Sequence, residues 1–338
     1  MSLVVAVDAM GGDHGPRVVV PAALSFLRQR QDVRLILVGD QAALRALMPV
    51  GTEGQGLDVH HASQVIEMDE SPAKALRNKK DSSLRLAIDL VAAGHAQACV
   101  SAGNTGALMA TARFVLHMLP GIERPAIVRA LPTMRGETYL LDLGANTECS
   151  AAQLCEFAVM SAVLVEALGK RENPSVGLLN IGSEANKGTD TVQRAAELIR
   201  DSGLNFHGYV EGDDIYAGTT DIVVCDGFVG NVALKTSEGL ARMVSQVLRD
   251  EFSKTLLRRL CALASWPALR AVRKQLDPRA YNGASLLGLT APVIKSHGGT
   301  DEVGFTHAIA EAAAQAQAQV PQRIAERLAT SSLQACSA

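Results

Sequence analysis

Five short stretches of this chain combine glycine with Asp or Asn in a way suited to holding an anion. They are Asp8-Ala9-Met10-Gly11-Gly12-Asp13-His14-Gly15, Ser101-Ala102-Gly103-Asn104-Thr105-Gly106-Ala107, Asp142-Leu143-Gly144-Ala145-Asn146, Asn180 through Gly188, and Asp226-Gly227-Phe228-Val229-Gly230-Asn231. Glycine beside Asn or Thr at a helix start leaves backbone N–H groups unobstructed, and the helix dipole adds partial positive charge there. Gly103-Asn104-Thr105-Gly106 therefore reads as an anion cradle, or as a tight turn with Asn104 or Thr105 as N-cap. Lys187, between Glu184 and Gly188, offers a cation to a phosphate, or is an exposed loop lysine. Asp8, Asp13, Asp142 and Asp226 suit Mg²⁺ binding, base chemistry or helix capping. Several carboxylates repel a phosphate unless cations offset them; Lys187, Arg129 and Lys295 stand nearest in the motifs. His297, in Val293-Ile294-Lys295-Ser296-His297-Gly298-Gly299, can protonate a leaving group, bond an anion, or bond its own backbone. His14 has the same standing.

Absent motifs narrow the chemistry. The chain has no G-x-x-x-x-G-K-[ST], no G-x-G-x-x-G after its first strand and no H-E-x-x-H. Gly283-Ala284-Ser285-Leu286-Leu287 approaches G-x-S-x-G but lacks the last glycine. P-loop hydrolysis and a covalent serine enzyme are both unsupported.

The elements that must position these loops are short apolar runs alternating with helical patterns. Strands are expected at Leu3–Val7, Arg34–Val38, Ala98–Ser101, Ala126–Ala130, Tyr139–Leu143, Ser175–Ile181, Asn205–Val210 and Ile222–Cys225. Helices are expected at Arg17–Gln29, Gln41–Met48, Ser82–Ala93, Thr105–His117, Gln153–Leu168, Thr189–Ser202, Asn231–Arg249 and Asp301–Ala329. Near-continuous apolar strands are covered on both faces, which predicts an α/β fold with a doubly wound, mostly parallel sheet in a single domain spanning 1–338. In such sheets ligands bind at strand carboxyl ends, so the five loops are expected along one common rim. Only Ser331–Ala338 reads as a frayed end.

Composition agrees. Of 338 residues, 48% are hydrophobic and 4% aromatic, and 32 basic against 35 acidic residues give a net charge of −3. No global field or basic-aromatic stripe favours nucleic acid. The six cysteines (Cys99, Cys149, Cys155, Cys225, Cys261, Cys336) form no C-x-x-C pair and no zinc spacing, which fits reduced thiols in a cytoplasmic protein. The N-terminus reads as a first strand rather than a signal peptide, and no run is long enough to span a bilayer.

Residues 249–279 differ from the rest. Eight basic and three acidic residues give this segment +5 and leave −8 for the remainder. Phe252, Leu256, Leu260 and Leu263 share one helical face, opposite Lys254 and Arg258. Pro267 breaks the pattern beside Trp266, and Leu269, Val272 and Leu276 restart an apolar face. A cationic amphipathic segment with a Trp suits an anionic bilayer surface or an acidic protein, or packs on the core or on a second subunit.

Taken together, the loops resemble those of the bacterial acyl-ACP:phosphate acyltransferase (PlsX) family. The matching stretches are Val7 to Asp13, Ser101 to Ala107, Leu143 to Asn146, Asn180 to Glu184 with Lys187-Gly188, Asp226 to Asn231, and Gly283 to Gly288 with Ser296-His297-Gly298; Asn282 and Ala291 stand where glycine is expected. The resemblance implies a fold similar to phosphate acetyltransferases and isocitrate-type dehydrogenases. It implies that inorganic phosphate and long-chain acyl-ACP give acyl phosphate and free acyl carrier protein, feeding phospholipid synthesis, with no cofactor and no metal ligand set. A cytoplasmic homodimer lying peripherally on the membrane is implied as well. On this reading Asn104 and Thr105 bind phosphate or oxyanion, Lys187 neutralises charge, and His297 is acid or electrostatic stabiliser. Asn146, Asn231 and Ser285 orient substrate, and Asp8, Gly11, Gly12, Gly103, Glu184 and Asp226 complete the substrate site. Three competitors remain: a metal- and nicotinamide-dependent hydroxyacid dehydrogenase, a short-chain acyl-CoA phosphate acyltransferase, and a membrane-docked scaffold.

Overall fold

The computed structural model describes residues 2–275 and 277–329; Leu276, Cys336 and the 331–338 tail lie outside the described residues. One sheet contains β1 (Leu3–Asp8), β2 (Val33–Gly39), β3 (Leu57–His61), β4 (Ala98–Ser101), β5 (Ala126–Thr133), β6 (Gly136–Leu141), β7 (Val176–Leu179), β8 (Phe206–Val210), β9 (Ile222–Val224), β10 (Ala284–Leu287) and β11 (Val293–Lys295). The helices are α1 (Pro16–Gln29), α2 (Gln41–Leu47), α3 (Pro72–Asn78), α4 (Ser83–Ala92), α5 (Thr105–Leu116), α6 (Ala151–Ala167), α7 (Asp190–Asp201), α8 (Asp214–Ala217), α9 (Gly227–Ser253), α10 (Leu256–Ala264), α11 (Trp266–Gln275), α12 (Glu302–Gln317) and α13 (Val320–Leu328).

The sheet order is β3-β2-β1-β4-β11-β10-β5-β6-β9-β7-β8. Seven of the ten pairings are parallel, as the mostly parallel expectation required. Helices cover both faces. α1, α2 and α12 pack on one face of the first half, and α6, α7 and α13 continue that layer over the second. α3, α4, α5, α8 and the start of α9 close the opposite face. α6 is apolar nearly all round and almost wholly buried, which suits a helix between sheet and neighbours. Polar residues at loop ends serve as N-caps: Asp40, Ser82, Asn104, Ser150, Thr189, Asp226 and Asp301 each accept a first-turn N–H.

Three antiparallel pairings in mid-sheet change the expected geometry. β10 runs against both β11 and β5, and β5 runs against β6. The carboxyl ends of β6, β7 and β9 therefore point to the opposite sheet edge from those of β1, β4 and β11. The common rim expected for all five loops is corrected to two rims. The expected helix Asp301–Ala329 is two helices, separated where Gln319 takes φ 53° ahead of Pro321. The break expected at Pro267 is present: α10 ends at Ala264, and Pro267 lies in the first turn of α11.

α9 has 27 residues, a span of about 40 Å. Beyond its first turns it leaves the body, and α10 and α11 carry the chain back. Leu240, Met243, Val244, Val247, Leu256, Leu260, Leu263 and Trp266 stay exposed on this excursion. Among the described residues no helix is long and apolar enough to cross a membrane. Cys99, Cys149, Cys225 and Cys261 are free thiols. Cys155 is disulfide-bonded, against the expectation of uniformly reduced cysteines.

Candidate active site

Loops after β1, β4 and β11 meet at one sheet edge. The Asp8 carboxylate, wholly buried at the end of β1, accepts the Ser101 hydroxyl at 2.6 Å and the Gly11 N–H at 3.2 Å. Burial pushes its pKa up, and hydrogen bonds from Ser101, Ser83, Met10 and Gly11 oppose the rise. Asp8 thus joins two loops rather than facing substrate. Gly11 is required by contact: a Cβ there would lie 2.5 Å from Asp8 Oδ2 and 2.7 Å from the Gly103 nitrogen. Gly12 has φ +88°, and its Cβ would come 2.9 Å from both Ala102 Cβ and the Gly298 oxygen. The Asp13 N–H donates to the Gly298 oxygen at 2.9 Å, closing the third side.

Asn282 holds the β11 loop. Its Nδ2 donates to Ser296 Oγ and to the Gly304 oxygen, both at 2.8 Å, while Oδ1 accepts the His297 N–H at 3.1 Å. Sequence reasoning registered Asn282 only as a departure from an expected glycine.

The cations come from strands across the middle of the sheet. Asp8, Ser101, Lys295 and Arg129 share strand parity with the residues packed under α4, α5 and α9, so all four point to that face. Lys295 Nζ donates to the Ala102 oxygen at 3.2 Å and to the Ser296 oxygen. Burial pulls its pKa down to about 8; Asp8 and Asp13 oppose the fall, and Lys235 adds to it. Arg129 donates from Nε to the Tyr281 oxygen at 2.8 Å, and its guanidinium lies 3.5 Å from Glu238. Glu238 also pairs with Lys235 at 3.0 Å. Both come from α9, and nothing in their i,i+3 spacing told that they reach this rim.

His297 stands at the rim with Nδ1 accepting the Gly299 N–H at 3.1 Å. A neutral ring then carries its proton on Nε2. Partial burial lowers its pKa; Glu238 works against this, and Lys235, Lys295 and Arg129 with it. The neutral donor form therefore prevails at pH 7. Thr105 is exposed at the first position of α5, where backbone N–H groups have no intrahelical acceptor.

Several expected side chains are committed elsewhere. Asn104 caps α5 through Oδ1, and its Nδ2 donates to the backbone oxygens of Glu67, Met68 and Glu70; it fixes the loop and has no spare donor for phosphate. Ser285 lies in register with Val128 and Ile294, so its hydroxyl faces α12 and accepts from Gln315 Nε2, on the opposite sheet face from Lys295. Asn146 is buried and donates to the Pro125 oxygen and to Asp142 Oδ2.

The second rim gathers Gly144, Asn146, Asp226 and Asn231, with the Gly227 N–H donating to the Asn146 oxygen at 2.7 Å. Asp226 caps α9 through Val229. Glu184 and Lys187 are exposed in the loop after β7, on that same edge. Strand direction separates Lys187 and Asn231 from the His297 rim within one chain.

Comparison with known proteins bears on this arrangement. Residues 3–323 match the model of the family described as "Fatty acid synthesis protein". A phosphate acyltransferase of Methylococcus capsulatus is 59% identical over 326 residues, covering 96% of each chain. One from Nitrosococcus oceani is 56% identical over 330 residues, covering 97% of each. In fold, the chain is similar to a phosphotransacetylase from Streptococcus pyogenes (TM-score 0.65, 17% identity, 94% of each chain). It is also similar to the EutD phosphotransacetylase from Staphylococcus aureus (0.61, 17%, 93% and 94%) and to a putative 4-hydroxythreonine-4-phosphate dehydrogenase from Salmonella typhimurium (0.55, 13%, 93% and 99%). With its fold, its loops and these relatives in agreement, the chain belongs to the fatty acid synthesis protein family, among the acyltransferases that its curated relatives represent.

Proposed function

We propose that this enzyme transfers a long-chain acyl group from acyl carrier protein to inorganic phosphate, forming acyl phosphate for phospholipid synthesis. The observation that carries the reading is the grouping of Lys295, Arg129 and Lys235 around neutral His297 at a rim of close-packed backbone loops. Hydrogenphosphate is held there by the three cations and by N–H groups of the first α5 turn. Its oxygen attacks the thioester carbonyl, whose own oxygen takes a hydrogen bond from His297 Nε2 as charge builds. The carbon–sulfur bond breaks, and the proton lost by hydrogenphosphate balances the one gained by the thiol. No covalent enzyme intermediate is needed.

The exposed apolar residues Leu240, Met243, Val244 and Val247 extend along the helix that brings Lys235 and Glu238 to the rim, which supports a long acyl chain over acetyl. The cationic α10–α11 excursion fits peripheral contact of a cytoplasmic protein with an anionic membrane. We further propose a homodimer in which the Lys187 edge of one copy meets the His297 rim of the other. Ile181, Phe228, Val229 and Val232 are exposed on that edge, rimmed by Lys187 and Asn231, which supports a covered surface there.

The test is incubation with phosphate and palmitoyl-ACP, followed by hydroxylamine trapping. Palmitoyl hydroxamate that depends on phosphate is expected, at a higher rate than acetyl hydroxamate from acetyl-CoA. Arg129→Ala is expected to raise KM for phosphate about tenfold or more. Absence of phosphate-dependent hydroxamate overturns the reading.

A further inference from the structure

Acyl transfer from sulfur to phosphate requires a proton on the departing thiolate, and the rim holds three titratable nitrogen side chains: Lys235, which is exposed and paired with Glu238 at 3.0 Å, His297 and Lys295. His297 is fixed by the Gly299 N–H as a neutral ring with its proton on Nε2, a good hydrogen-bond donor but a weak acid. Lys295 is different. An ammonium has three N–H bonds, and two here go to the backbone oxygens of Ala102 and Ser296. Those oxygens belong to the β4 and β11 loops, so Nζ is pinned at the seam between the α5 start and the His297 loop. The third N–H remains for the cleft.

We infer that Lys295 is the acid that protonates the leaving thiolate, with His297 acting only as donor to the carbonyl oxygen. This assignment rests on the acyl-transfer reading above. The carbon–oxygen bond to phosphate forms and the carbon–sulfur bond breaks, and the sulfur takes a proton from Lys295 Nζ. The hydrogenphosphate O–H, acidified as its oxygen becomes acylated, returns a proton to the neutral amine. Charge and protons balance with no further reactant.

The surroundings suit the task. Asp8 and Asp13 from the β1 side favour the ammonium, Lys235 from α9 and burial disfavour it, and His297 lies on the same loop. The resulting pKa of about 8 is close to that of an alkyl thiol, the match that efficient proton transfer needs.

Leaving-group substitution tests the assignment. Lys295→Arg keeps the charge and donors but cannot release a proton, and Lys295→Met removes both. With an alkyl palmitoyl thioester, kcat is expected to fall roughly a hundredfold in both variants. With an aryl palmitoyl thioester, whose thiolate leaves unprotonated, the Arg variant is expected to stay within about threefold of the unaltered enzyme. An equal loss on both thioesters, or no loss on the alkyl one, overturns the assignment. The unaltered enzyme supplies an independent readout: a kcat that climbs steeply as the thiol becomes more acidic also overturns it. If the unaltered enzyme acylates phosphate from neither thioester, the acyl-transfer reading itself falls, a result distinct from any behaviour of the variants.

Discussion

Gly11→Ala examines the rim at its tightest point. The added Cβ would sit 2.7 Å from the Gly103 nitrogen and 2.9 Å from its Cα, and 2.5 Å from Asp8 Oδ2. Ordinary contact begins near 3.4 Å, so the two loops must part by about 0.7 Å. Neither neighbour yields easily. Gly103 is backbone whose N–H donates to Ser101 Oγ at 3.0 Å, and Asp8 is tied to that same hydroxyl. Separation carries the first α5 turn away from the Asp13 and His297 loops. Overpacking of this kind costs about 1–3 kcal/mol, a few degrees in Tm for a chain of this length. A displacement approaching 1 Å costs up to about a hundredfold in rate, so a loss of roughly ten- to a hundredfold in kcat is expected. Hydroxamate trapping and a thermal melt measure the two effects. Gly212→Ala is the control, since nothing lies within 4 Å of its Cβ position. A Gly11→Ala enzyme with the parent's kcat and Tm refutes the close-packed rim.

Other consequences concern His297, the subunit arrangement and the apolar excursion. Because the His297 pKa lies below 6.5 and the neutral ring is the working form, kcat should hold as pH falls through 6.5 and decline only below it; a pH–rate profile whose acid limb sits at or above 6.5 contradicts this. If Lys187 and His297 act together only across a homodimer, Lys187→Ala and His297→Ala should each be inactive, while their co-expressed mixture recovers about a quarter of parent activity, because half the dimers are hybrids with one intact site. A mixture as inactive as its parents counts against the paired edges. Leu256→Asp combined with Leu260→Asp, both exposed on α10, should abolish co-sedimentation with anionic vesicles and leave the Tm unchanged; retained binding removes α10 from the membrane contact.

The depressed pKa of Lys295 has a consequence for stability as well. The unfolded chain binds a proton at Lys295 up to about pH 10.5, whereas the folded chain releases it near pH 8. Its contribution to stability therefore rises with pH between those values, and calorimetric melts of the parent and Lys295→Met should diverge across that window. Melts that stay parallel from pH 8 to 10.5 contradict the buried setting of this lysine.

Much of this molecule is legible in its local chemistry. Apolar runs of four to eight residues place most strands, and Asp, Asn, Ser and Thr before helical patterns place the caps, because alternation and first-turn N–H groups are properties of neighbouring residues. The loops with Gly11, Gly103 and His297 were recognisable for the same reason. β3 and β10 escaped, and β11 showed only as the short run entering the His297 loop. β3 hides under Asp58, His60 and His61, while β10 and β11 are four and three residues long. Direction mattered most: the two antiparallel pairings of β10 cancel, and the reversal between β5 and β6 sends Lys187 and Asn231 to the far edge. One hint was present: Ala130 and Tyr139 are too close in sequence for a parallel crossover, which needs a dozen or more residues.

Sequence alone determined the doubly wound class, the glycine-bearing turns and the family, because these depend on residue type and short spacing. Only the tertiary structure decided which turns share a rim. It spent Asn104 on a cap, turned Ser285 to the α12 face, and brought Arg129, Lys235 and Glu238 beside Lys295. Strand direction, strand parity and the path of α9 set those meetings, and each is fixed by pairings between residues far apart in the chain.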